Sequence, residues 1–247
     1  MATMTLEELV RQLTLVYADG LRCVALYGSA ARGHGEHVAK RSDLNVLVIV
    51  DAITMGHLRK ESAVARTWRE SGNPPPLTLT LAEWRGSADI FPMEYADILA
   101  YHRVLAGALP LDGMRVDHAH LRLQLEHEAM SKLLRLRHAV LSAGGDSRAL
   151  SDLVAESASS MMVLLRSTLR LVGEEPPADS AELLDRVESR VGLPRESVQV
   201  FRRVRGHARG EAPISRGEVQ AVVEGYLAAV AALVEFVNRF RGMGSGE

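Results

Sequence analysis

The sequence predicts an α/β protein of the α+β kind: a small mixed-sheet domain over residues 1–115, an all-helical bundle over 116–241, and a flexible tail over 242–247. Three observations predict it. Short apolar runs at 22–27, 44–50 and 77–81 alternate with helical periods in the first half. From about Asp117 no strand-like alternation recurs. The second half shows apolar residues at helical spacing, broken by Gly144-Gly145 and by Gly173 with Pro176-Pro177.

The elements follow in order. Thr5 is placed to N-cap a helix over 5–17, with Glu8 three residues on and Leu6, Leu9, Val10, Leu13 and Val16 at helical spacing. Residues 22–27 read as a buried strand and Gly28-Ser29 as the turn into a short helix. Residues 44–50, nearly all β-branched or leucine, suit a central strand covered on both faces. A helix over 58–70 is ended by Ser71-Gly72-Asn73 and by Pro74, Pro75 and Pro76. Leucine and threonine alternate over 77–81, predicting a third strand. A helix lies within 93–101, and 103–106 fits a last short strand before Leu109-Pro110-Leu111-Asp112-Gly113. Beyond it, Leu121, Leu125, Met130, Leu133, Leu134, Leu136 and Val140 belong to one long helix. Further helices are expected over 150–172, 181–191, 196–204 and 218–240.

Composition narrows the function. The chain has 247 residues, 47% hydrophobic and 24% charged, ordinary for a globular protein with a real core. A net charge of −2 provides no global field toward nucleic acid or an anionic membrane. Only Lys40, Lys60 and Lys132 are lysines, an arginine bias that high genomic GC content explains more simply than phosphate recognition. Cys23 stands alone in an apolar run, in keeping with a reducing compartment. Residues 1–9 hold two glutamates and no basic segment, unlike a signal peptide. The apolar stretch 219–240 is interrupted by Glu224, Glu235, Asn238 and Arg239, so a packed helix is expected there, no membrane span, and a cytoplasmic setting.

The chemistry concentrates around one segment. Leu26-Tyr27-Gly28-Ser29-Ala30-Ala31-Arg32-Gly33 is followed by Ser42-Asp43-Leu44-Asn45-Val46-Leu47-Val48. A strand, a Gly-Ser turn and a polar loop thus lead to a second strand opening on an acidic residue. Backbone N–H groups and a hydroxyl at such a turn suit a phosphate. Asp43 and Asn45, two apart on a strand, share a face. This arrangement resembles the nucleotidyltransferase superfamily that includes DNA polymerase β and aminoglycoside nucleotidyltransferases. The resemblance covers residues 20–115, including Phe91-Pro92-Met93-Glu94-Tyr95-Ala96-Asp97-Ile98 and His102-Arg103-Val104-Leu105-Ala106-Gly107, which look like bacterial proteins described only as nucleotidyltransferase-domain proteins.

The resemblance implies Mg²⁺ as cofactor and an NTP as substrate or ligand. Gly28 and Ser29 would bind phosphate, with Arg32, Lys40 and Arg41 reaching the outer phosphates. Asp43 would bind metal. The pattern calls for Asp-x-Asp, and Asn45 stands in place of the second aspartate: its amide offers a carbonyl oxygen but no charge for a second cation. The strand after the next helix should bring a third carboxylate facing Asp43, as Pro-Leu-Glu. The matching run is Pro76-Leu77-Thr78, so Thr78 replaces the glutamate. Glu83 and Glu94 are the nearest replacements. Glu94 is the better candidate because Asp97 lies one helical turn away, although dipole stabilisation also accounts for a glutamate after Pro92.

Two other patterns carry less. Arg202 and His207 have the Arg-x₄-His spacing of HEPN-type RNase motifs, but Arg122 and His127 repeat it, and Gly206 is expected to break the helix. Asp117, His118, His120, Glu126 and His127 contain no close ligand pair for zinc and read as a solvated helix start.

The expectation is therefore a nucleotidyltransferase-fold protein that binds nucleotide with weakened or lost Mg²⁺-dependent transfer. One alternative is an active enzyme moving a nucleoside monophosphate from an NTP to a small-molecule or protein acceptor. Another is an antitoxin-like interaction protein that works through the bundle. The partner is a nucleotide rather than nucleic acid. No motif encodes the acceptor, and self-association is left open.

Overall fold

A four-stranded sheet in the order β3-β2-β1-β4 organises the first half of the chain. The computed structural model describes residues 4–32 and 43–240, which divide into two units, Met1–Asp117 and His118–Glu247.

In the first unit, helix α1 (Leu6–Tyr17) begins where the Thr5 hydroxyl accepts the Glu8 amide N–H, and it buries Leu9, Leu13, Val16 and Tyr17. Strand β1 (Leu21–Tyr27) pairs antiparallel with β2 (Asn45–Val50) and with β4 (His102–Gly107). The turn Ser29–Arg32, α2, follows β1. Helix α3 (Met55–Glu70), capped by Thr54, makes the crossover that lets β3 (Leu77–Thr80) lie parallel to β2. It starts a turn earlier than the apolar periodicity predicts, because Thr54 accepts the His57 N–H.

The predicted third strand also ends early. Thr80 and Glu83 form a capping box, so Leu81 opens helix α4 (Leu81–Gly86). Glu83 donates nothing to a site: its carboxylate accepts the Thr80 N–H at 2.7 Å. Helix α5 (Pro92–Ala100) starts on its proline and leads into β4. Gly107 ends β4 at φ +70°, where a Cβ would stand 2.0 Å from the Arg22 carbonyl oxygen, so only glycine fits.

Strand alternation gives the sheet two faces. Val24, Leu26, Val46, Val48 and Val50 pack with Leu9 and Leu13 of α1 and Val64 and Trp68 of α3. Cys23, Ala25, Leu47 and Ile49 pack with Trp84 of α4 and Tyr95 and Ile98 of α5. Trp84 and Tyr95 stack with centroids 4.5 Å apart, and the Tyr95 hydroxyl donates to the Trp84 carbonyl at 2.8 Å. Cys23 is fully enclosed, and burial pushes its thiol up to about 11.

The second unit is helical in its described residues: α6 (His118–Ala143), α7 (Ser147–Leu171), α8 (Ser180–Arg190), α9 (Arg195–Ala208) and α10 (Val219–Arg239). Asp146 and Asp179 cap α7 and α8 through two backbone N–H groups each. Helix α10 is long and apolar enough to cross a membrane by length and composition. It buries Val223, Tyr226, Val230, Leu233 and Val237 within this unit.

Gly206 does not break α9, which runs on to Ala208. Its carbonyl accepts the Glu211 and Ala212 N–H groups, which turns the following chain back against the helix. Arg202 is held by Asp185 and Glu188. His207 accepts the Ile214 N–H at Nδ1, which leaves Nε2–H to donate to Ser151. Arg202 and His207 are thus engaged in packing contacts. Arg122 is likewise paired with Glu126.

Candidate active site

The candidate residues gather at one end of the sheet, where β1 leaves and β2 enters. Tyr27 and Asn45 are register partners. Gly28 follows at φ +76°, a conformation that glycine adopts without strain. A Cβ there would stand 3.2 Å from Asn45 Nδ2, so the missing side chain also lets the amide sit against the turn. Ser29 is exposed beside it. Asp43 is exposed just ahead of the strand, and Leu44 N–H donates to Asn73 Oδ1 at 3.0 Å, pinning the entry to β2. Asn73 had a signal in the sequence only as part of a helix stop; its bridge across 29 residues is tertiary.

Glu94 is exposed on the first turn of α5. It lies close enough to Tyr27 that its charge adds to burial, the larger cause, in raising the tyrosine hydroxyl above its ordinary range. The fold thus brings Gly28, Ser29, Asp43, Asn45 and Glu94 to the same end of one sheet.

Two expectations change. Arg32 is buried rather than extended toward a phosphate: its guanidinium pairs with Asp97 and lies over the Tyr101 ring at 5.4 Å. About one turn from Gly28, burial of an arginine requires a close anion, and Asp97 supplies it. Thr78 does not face Asp43. It pairs with Val48, on the opposite face from Asn45 and Leu47, and its hydroxyl donates to Glu61 Oε1 at 2.5 Å. The β3 residues sharing the Asn45 face are Leu77, beside Leu47, and Leu79, beside Ile49, with Leu77 the nearer to Asn45. Lys40 and Arg41 lie outside the described residues.

The donors can be tested against the implied cation pair. Two divalent ions held by oxygen ligands call for several converging carboxylates. Among the described residues no group of three or more Asp, Glu, His or Cys converges. One carboxylate at Asp43 and one neutral amide at Asn45 do not fit a two-cation centre. What this end can do is present backbone N–H groups and a hydroxyl at a glycine turn, next to one carboxylate.

No family model matches the chain, and no curated protein matches it. Among solved structures, spectinomycin adenyltransferase AAD(9) from Enterococcus faecialis, crystallised with ATP and spectinomycin, matches with a TM-score of 0.52 at 11% identity. The match covers 94% of this chain and 97% of that one. The chain therefore has the α+β fold of a nucleotidyltransferase, with a mixed sheet and an appended set of helices.

Proposed function

We propose that this protein binds a nucleoside triphosphate at the Gly28-Ser29 turn and has weakened or lost Mg²⁺-dependent nucleotidyl transfer. The observation that carries the reading is the Asn45 amide against Gly28, on the face where the superfamily pattern puts a second aspartate. The fold shared with an ATP-bound adenyltransferase supports the choice of ligand. In this reading the turn's N–H groups and the Ser29 hydroxyl hold phosphate, and Lys40 and Arg41 add positive charge. Asp43 alone remains to attract a cation, and an amide neighbour cannot balance a second one.

Calorimetry with ATP and GTP, with and without Mg²⁺, coupled to a pyrophosphate assay, tests it. The expected result is binding that depends little on Mg²⁺, with no pyrophosphate released. Absence of binding to both nucleotides overturns the reading. Mg²⁺-dependent release supports a second reading, an active transferase with a small-molecule or protein acceptor. Glu94 is then the base, since it is the exposed carboxylate near Tyr27, and Glu94→Gln abolishes release without abolishing binding.

A further inference from the structure

The outer side of α6 carries apolar side chains that the second unit does not cover. Leu123 is 62% exposed, Met130 42%, Leu134 54% and Leu141 80%. Leu121, Leu125, Ala129, Leu133 and Leu136 of the same helix are buried. At about 100° per residue, the four exposed side chains fall within about 40° of each other around the helix axis. Single exposed leucines are ordinary, but an aligned row along most of a helix marks a contact surface.

The row is symmetric along the chain. Its positions lie symmetrically about 132, Leu123 mirroring Leu141 and Met130 mirroring Leu134. A second copy of α6 laid antiparallel therefore sets Leu123 against Leu141 and Met130 against Leu134, and each contact occurs twice. That self-complementarity is what a two-fold interface requires. The flanks agree with it. Glu126 and Arg137 lie on one side of the row, His127 and His138 on the other. A two-fold axis across an antiparallel pair keeps each flank on its own side. Glu126 of one copy then meets Arg137 of the second, and His127 meets His138. A parallel pair would set Glu126 beside His127 and Arg137 beside His138, with no carboxylate–guanidinium match. Arg122 already holds Glu126 in place from the same helix, through a hydrogen bond of 2.8 Å, so the carboxylate is oriented before any partner arrives.

We propose that α6 is a homodimer interface and that the occupant of its apolar row is α6 of a second copy, antiparallel and centred on position 132. The contact is modest, four apolar side chains and one ion pair from each copy, so association in the micromolar range is expected.

Sedimentation velocity on the full chain, from about 1 to about 100 µM, reads this directly. The wild type should pass from monomer to dimer across that range. Leu134→Glu should remain monomeric throughout, while Leu15→Glu, at an exposed leucine of α1, should dimerise as the wild type does. Arg137→Glu should weaken dimerisation about tenfold, and Glu126→Arg with Arg137→Glu should restore it, which mere loss of folding cannot imitate. Under mild oxidant, a mixture of Leu123→Cys and Leu141→Cys should form the crossed disulfide. Leu123→Cys alone should not, because the two copies of that position lie roughly 27 Å apart in an antiparallel pair. A wild type that is monomeric at 100 µM, a Leu134→Glu dimer, or ready self-linking of Leu123→Cys would each overturn the proposal.

Discussion

Carboxylates stand at two places on the small sheet and differ in what surrounds them. On the face covered by α1 and α3, Glu61 is 7% exposed and both its oxygens are occupied. Tyr17 donates to one and Thr78 to the other, at 2.5 Å each. The pair also bears on Tyr17 itself: burial first, then the Glu61 hydrogen bond, drives its hydroxyl well above the usual range. At the open end of the other face, Asp43 and Glu94 are exposed, and the strand residue beside Asp43 is an amide. The first place ties three elements together through a carboxylate that accepts from neutral donors. The second is where a ligand can arrive. A carboxylate's chemistry here follows from the face of the strand it is near, and sequence distance from the Gly-Ser turn is a poor guide to it.

The largest effect that would break this contrast is at Thr78. Thr78→Glu replaces a donor with a second carboxylate against buried Glu61, and denaturant unfolding should show a loss of roughly 3 kcal/mol or more. Wild-type stability in that variant would mean that the strand face has been misassigned. Gly28→Ala comes next. Its positive φ and the 3.2 Å approach to Asn45 predict a loss of about 1–2 kcal/mol, together with loss of nucleotide binding by calorimetry.

A smaller effect distinguishes bond from bulk within the Glu61 cluster. Thr78→Val keeps the shape but removes the donor, so chemical denaturation should register about 1 kcal/mol. The smallest change in stability, and the most informative for function, is Asn45→Asp with Leu77→Glu. Both positions lie at the open end of that face and Leu77 is already exposed, so the metal-free variant should stay within about 1 kcal/mol of wild type. It should gain a Mg²⁺-dependent rise in Tm of a few degrees, absent from the wild type, by linkage to a cation bound only when folded. No rise with Mg²⁺ would show that the carboxylate count is not what limits metal binding.

Much of the fold was legible because its elements are periodic and punctuated. Thr5 with Glu8, the β-branched run from Asn45, and the double glycine after Ala143 each act locally, within one turn or one strand. Local signals failed where two of them competed. The leucine–threonine alternation read through to Leu81, yet the Thr80–Glu83 capping box in the same letters favoured a helix start. Gly206 was read as a helix breaker because glycine weakens a helix, yet the helix runs through it to Ala208, with Ala212 packed beside it. Spacing alone gave the shared face of Asp43 and Asn45, two apart at the start of one strand, whereas their grouping with Gly28 and Ser29 came from the resemblance to the nucleotidyltransferase pattern.

The sequence by itself determined the four strands, the longer helices and the amide at Asn45, because hydrophobic period and turn chemistry act over a few residues. Only the tertiary structure decided where Arg32 and Thr78 point. Arg32 meets Asp97 across 65 residues and Thr78 meets Glu61 across 17. The register of β2 against β3 sets the parity of every side chain between them, and a shift of one residue would exchange the two faces. That register is held by packing on both sides of the sheet, which no local pattern contains.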